Sequence, residues 1–332
     1  MTHPRREAMP GCGCPLRATP TPVLWVSLVV ALVMCAAILL SAQTFRGGIE
    51  TVEVTVSVVD AAGRLVTGLT KDDFEVYEDG DPQPITQFTG DRVPMSLGLL
   101  VDISDSMRGQ PILDARQAFD RFVVDLLKPD DEAFVATFNH APHALTPWTT
   151  PASGLRGSLD TQRPTGGTAM YDALTASLEA FARRHRSRAA VVVISDGADT
   201  ASDITLRETR DRLRRVDAFV YAIAIDSEVG KQRAATRVSP EALRELTGPT
   251  GGYTEVVQSA ADLPGATERI ARELDSQYTL AYTAPAQADG TWRSIRVRVT
   301  FPGATARSRR GYYATPAARD RLSVFAPAPP AR

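Results

Sequence analysis

The chain has 332 residues, 43% of them hydrophobic and 23% charged. That is enough for one large domain and a smaller one, each with its own core. A net charge of -2 gives no long-range field that would argue for nucleic acid or an anionic membrane surface as the main partner. The three cysteines, Cys12, Cys14 and Cys35, all precede residue 43, so no disulfide framework is expected beyond that point.

Residues 1–22 carry Arg5, Arg6 and Arg17 and read as a cytoplasmic leader. An uncharged apolar run from Val23 to Leu40 follows, interrupted only by Ser27. Residues 23–42 therefore read as a signal peptide, cleaved near Ala42, or as a retained membrane anchor. Either way, the remainder faces the periplasm or the exterior, and the membrane is a partner through this segment. Thr51 to Val58 alternates strictly, with Val52, Val54, Val56 and Val58 on the dry face and Thr51, Glu53, Thr55 and Ser57 on the wet one. Asp60-Ala-Ala-Gly63 reads as a hairpin connection, Thr70 to Asp73 as a capped turn before a strand at Phe74–Tyr77, and Glu78 to Asp81 as another turn.

In the middle the pattern changes to apolar runs alternating with amphipathic helices, the mark of a parallel sheet covered on both faces. The buried strands fall at Ser96–Ile103, Glu132–Asn139, Ala189–Ser195 and Ala218–Ile225. Helices fall at Ile112–Leu127, Ala169–Arg184, Leu206–Arg215, Pro240–Leu246 and Leu263–Leu274, with Pro111 placed for the first turn of the first. Strand patterns return at Gln277–Tyr282 and Ser294–Phe301, the latter with Ile295, Val297, Val299 and Phe301 inward. The tail 315–332 is Pro/Ala-rich and reads as disordered on composition.

Three separated pieces carry candidate chemistry. The first buried strand runs into Asp102-Ile-Ser104-Asp105-Ser106, whose alternation projects one carboxylate and two hydroxyls to one side at the strand's carboxyl end. Hard oxygen ligands of that kind suit magnesium or manganese. Asp and Ser after a strand are also ordinary helix caps. The second piece, Gly166-Gly167-Thr168, opens a helix and has the same alternative. The third, Ser195-Asp196-Gly197, ends an apolar strand and also suits a simple turn. His140 and His143 flank a proline and read as loop histidines; Arg183, Arg184, Arg186 and Arg188 read as helix-end cations facing water; Thr247 to Gly252 reads as turn chemistry.

In order and spacing the three pieces resemble the metal-ion-dependent adhesion site of von Willebrand factor type A domains. The resemblance covers about Pro94 to Asp275, with a domain placed at 93–275. It implies an α/β, Rossmann-like, doubly wound and mainly parallel six-stranded sheet, and a Mg2+ site (Mn2+ or Ca2+ also possible) of Asp102, Ser104, Ser106, Thr168 and Asp196. Ser104, Ser106 and Thr168 would bind directly, and Asp102 and Asp196 directly or through water. The metal would complete its coordination with an Asp or Glu carboxylate from a protein partner. Asp105 departs from the family's frequent glycine. Leu69 to Gly80 and Arg310-Gly-Tyr-Tyr313 look like the bacterial relatives of this family, which implies a small β-sandwich built from 50–92 together with 276–314. No nucleophile, general base or phosphate-cradling loop accompanies the site, so the reading is a non-enzymatic binding module. The alternatives are a metal-independent scaffold and a metal-assisted phosphohydrolase.

Overall fold

The computed structural model describes residues 51–144, 146–196, 198–226, 239–284 and 289–315. The leader, the apolar segment 23–42, the three cysteines and residues 316–332 lie outside the described residues.

In chain order the first strands are β1 (Thr51–Val59), β2 (Phe74–Glu78), β3 (Asp81–Gln83) and β4 (Ile85–Thr89). The central part comprises β5 (Met95–Asp102), α1 (Gln110–Arg121), β6 (Glu132–Phe138), β7 (Pro142–Ala144), α2 (Met170–Phe181), β8 (Arg188–Ser195), α3 (Leu206–Leu213), β9 (Phe219–Ile225), α4 (Pro240–Thr247), β10 (Thr254–Val257) and α5 (Leu263–Asp275). The chain closes with β11 (Tyr278–Thr283), β12 (Trp292–Val299), β13 (Thr305–Ser308) and β14 (Gly311–Tyr313).

The central sheet has the order β10-β9-β8-β5-β6-β7, parallel throughout except for the antiparallel edge β7. Every residue of β5, β6, β8 and β9 is buried, which explains their unbroken apolar runs. Alternate side chains feed two cores. Leu97, Leu99 and Val101 pack with Phe119, Phe122, Ile270 and Leu274 on one face. Leu100, Val191, Val193 and Ala222 pack with Leu174, Phe181, Leu243 and Leu246 on the other. The result is a three-layer α/β domain.

The remaining strands form two four-stranded sheets, β13-β1-β11-β4 and β14-β12-β2-β3, sharing a core of Val54, Val56, Phe74, Val76, Leu280, Tyr282, Ile295 and Val297. Strands from before and after the α/β domain thus interleave in a small β-sandwich. The domain is inserted between β4 and β11, which are hydrogen-bonded neighbours with Thr89 opposite Thr279.

The structure departs from the sequence pattern in four places. The helix expected to Leu127 is α-helical only to Arg121 and continues as a π-helical turn over Phe122–Leu126. Phe301 is 46% exposed, because β12 ends at Val299 and a turn follows in which Ala304 N donates to Phe301 O. Ser57, placed on the wet face of β1, is fully buried where the sandwich meets the α/β domain. Arg188 is no helix-end cation: it begins β8 and is buried. By contrast, the turn expected at Thr247 to Gly252 is present, with Gly251 in the left-handed region at φ 95°, and Gly252 makes a tight approach to β9, since a Cβ there would stand 2.0 Å from Val220 O.

Candidate metal centre

The site lies at the carboxyl ends of β5 and β8, the neighbouring central strands, where the sheet's register sets Val101 beside Ile194. A parallel sheet delivers its loops to this edge, so the Asp102–Ser106 and Asp196 segments emerge side by side.

Asp102 is fully buried. Its Oδ1 accepts from the backbone N–H of Ser104 at 2.7 Å and its Oδ2 from Ser195 Oγ at 2.6 Å. Burial pushes its carboxyl up to about 7; the bonds from Ser195 and Ser104 work against that rise, and the neighbouring Asp196 charge adds to it. Ser104 Oγ lies 3.0 Å from Ser106 Oγ, which donates to Asp196 Oδ1 at 2.6 Å. A chain of oxygens therefore crosses from one loop to another 90 residues away.

The third loop is clasped to the first by its backbone. Thr165 N donates to Ile103 O at 2.8 Å and Asp105 N donates to Gly166 O at 2.9 Å, with Gly166 in the left-handed region at φ 81°. Ala169 N donates to Asn139 O at the end of β6. The loop after Asp196 closes the ring: Thr200 N donates to Thr168 O at 2.8 Å, and Thr168 N donates to Thr200 Oγ1 at 3.1 Å. Ser104, Thr168 and Asp196 are all buried, and Ser106 is partly so. Asp105 is exposed and pairs outward with Arg108.

Capping does not account for these hydroxyls. Ser104 is the N-cap of the short 3-10 helix Asp105–Met107 but makes no side-chain cap bond. The N-cap of α2 is Ala169, not Thr168. The free N–H groups of that helix are met elsewhere: Tyr171 N donates to Asp199 Oδ2 and Asp172 N to Ser202 Oγ. The Asp196 carboxylate is engaged beyond its own loop, accepting from Ser106.

Sequence reasoning missed Ser195, Asn139, Asp199 and Thr200. Ser195 had a readable signal: it is the polar residue closing the run Val191-Val-Val-Ile, beside Asp196. Asn139, Asp199 and Thr200 act through contacts between distant loops, which local pattern does not encode. The histidines divide: His143 lies on the edge strand β7 with Nε2 3.0 Å from Asn139 Oδ1, while His140 is exposed in the preceding turn. Among the described residues no group of three or more His, Cys, Asp or Glu side chains is placed to hold a metal, so any cation here rests on hydroxyls as much as carboxylates. Two carboxylates close enough for one charge to raise the other, with two hydroxyls in line between them, form a donor set of hard oxygens suited to Mg2+.

Residues 97–198 match the von Willebrand factor type A domain family. No curated protein sequence matches the chain. Among solved structures, proximal thread matrix protein 1 from the mussel byssus is similar at TM-score 0.48 and 17% identity, over 59% of this chain and 50% of that one; this chain thus spans half its length. BatB, a conserved hypothetical protein from Bacteroides thetaiotaomicron, gives TM-score 0.43 and 19% identity over 54% of this chain and 97% of its own. A von Willebrand factor type A protein from Catenulispora acidiphila gives TM-score 0.48 and 11% identity over 81% and 75%. The match begins in β5, which ends in Asp102, and runs just past Asp196 at the end of β8, so residues 97–198, the part of the α/β domain that holds the candidate site, match the von Willebrand factor type A domain family.

Proposed function

We propose that the α/β domain is a non-enzymatic protein-binding module for adhesion or assembly. It would hold one divalent cation, Mg2+ foremost with Mn2+ or Ca2+ as substitutes, on Asp102, Ser104, Ser106, Thr168 and Asp196. The observation that carries this reading is the oxygen chain Ser104 Oγ–Ser106 Oγ–Asp196 Oδ1, at 3.0 and 2.6 Å, above the buried Asp102. When bound, the cation supplies an electrophilic centre for a partner's Asp or Glu carboxylate. Neutral hydroxyls leave much of a cation's charge uncompensated, which favours an anionic ligand from outside. Asp102 serves by holding Ser104 through its backbone N–H, and Ser195 holds Asp102. The surrounding loops would set specificity, as rigid sheets with variable rims commonly do.

The module belongs outside the cytoplasm on this reading, tethered by the apolar segment 23–42 or released by cleavage near Ala42. Among the described residues no helix is long and apolar enough to cross a membrane, and 23–42 lies outside them. Calorimetric titration of Mg2+ into the protein tests the cation. Binding heat and a raised melting temperature are expected, with a gain of about 2.7 kcal/mol at one hundred times Kd. Both should vanish in Ser104→Ala/Ser106→Ala. A heat-silent titration with unmoved melting would favour the metal-independent scaffold.

A further inference from the structure

A domain inserted between two neighbouring strands is joined to its host by two adjacent connections, an arrangement that ordinarily makes a hinge. Here both connections are tied down by arginines. Arg92, in the first connection, bonds Asp275 at the end of α5 at 2.9 Å, Asp131 at 2.5 Å and Asp130 at 3.1 Å. Asp131 in turn accepts from the backbone of Met95 and Lys128. Arg188 reaches from the start of β8 to Val93 O in the first connection at 3.1 Å, to Leu274 O at 2.7 Å, and to Gln277 Oε1 in the second connection. Gln277 Nε2 passes the link to Ser57 Oγ on β1 and to Tyr221 OH on β9. Arg188 is buried, and its three acceptors are neutral oxygens, one in each connection and one at the end of α5.

We propose that Arg92 and Arg188 are rivets that lock this hinge, so that the sandwich carries the metal centre in one fixed orientation. The geometry gives the rivets a purpose. Tyr278, at the joint, pairs with Val56, whereas Thr51 pairs with Thr283 at the other end of β11. Asp102 lies at the end of β5 away from Met95, which lines the joint with Arg188 and Gln277. Asp102 and Thr51 therefore lie at the far ends of strands that both run from the joint, a path along β5 and β1 of roughly 40 Å at strand rise. A loose hinge would let the centre swing against that base; the rivets hold it out as a stiff spacer. The described residues, from Thr51 to Thr315, fall in one compact unit, as this requires.

Hydrogen–deuterium exchange and calorimetry on the full chain test the proposal. The wild type should show one unfolding transition, with slow exchange at 90–94 and 275–277. In Arg92→Ala, exchange in those two segments should rise about tenfold or more while the middles of β5 and β11 stay protected, and the calorimetric transition should split. Arg188→Met should do the same more strongly; should it not fold, Arg92→Ala decides, since Arg92 is partly exposed. Lys128→Ala, which removes only the 3.4 Å pair with Asp275, should leave both readouts unchanged. A wild type with two transitions, an Arg92→Ala variant with unchanged exchange, or a Lys128→Ala variant that loosens equally would each overturn it.

Discussion

Ser106 is the residue on which two loops of the candidate site meet, since its hydroxyl touches Ser104 on one side and Asp196 on the other. Replacing it by alanine removes hydrogen bonds worth about 1 kcal/mol to the cation-free fold. It should remove the whole Mg2+-dependent rise in melting temperature, because the oxygen chain is cut at its centre. Thermal melts with and without Mg2+ separate the two effects. At the opposite end of the sheet, Glu132 is buried and accepts from Ser96 Oγ, His185 N and His185 Nδ1. Burial favours its neutral form, but the bonds from Ser96 and His185 outweigh it and hold the carboxyl below its ordinary 4.5. A depressed acid stabilises the fold above its unfolded value and loses that contribution as pH falls through the folded one. Glu132→Gln should therefore cost about 2 kcal/mol at neutral pH. It should also flatten the loss of stability below about pH 4.5, read from denaturant midpoints across pH. Phe301, which alternation placed inside, is 46% exposed; Phe301→Ser should change stability by no more than about 0.5 kcal/mol.

At the scale of elements, the buried strands were the most legible part of the chain. Unbroken runs such as Val191-Val-Val-Ile reflect burial on both faces, and all four central strands stand within a residue of where that pattern puts them. Short edge strands such as β7 and β10 left no such trace, because three or four residues on a rim carry no periodicity. The end of α1 was misread because Phe122 and Val123 keep the apolar stripe while the backbone shifts to a wider turn, with Leu127 N donating to Phe122 O. Two glycines let the packing be tested. At Gly98 a Cβ would stand 2.8 Å from the Phe134 ring, whose side chain has some room to yield, so Gly98→Ala should cost about 1–3 kcal/mol. At Gly252 the obstacle is the backbone carbonyl of Val220 in β9, the strand that pairs with β10, and a backbone group there cannot yield. Gly252→Ala should cost more than Gly98→Ala and loosen β10, as chemical denaturation and amide exchange would report.

At the scale of the molecule, the sequence disclosed an α/β domain bracketed by strands, but not the joint between them. Arg188 sits among Arg183, Arg184 and Arg186 in the chain, and nothing local separates a cation that faces water from one that crosses under the sheet to Leu274 and Gln277. Ser57 likewise has the alternation of a wet face and is dry only because Gln277 lies over it. The pieces of the candidate site were easier to read, since each ends a strand or opens a helix. The clasp of Thr165 and Asp105 that brings those pieces together was not, because it is made by backbone groups alone. Crystals grown with Mn2+ and measured at its anomalous edge would locate the cation directly. A single peak is expected about 2.0–2.3 Å from Ser104 Oγ and Ser106 Oγ, with Thr168 and Asp196 beside it. Well-ordered crystals at saturating Mn2+ with no peak among those four side chains would contradict a cation-binding role for this domain.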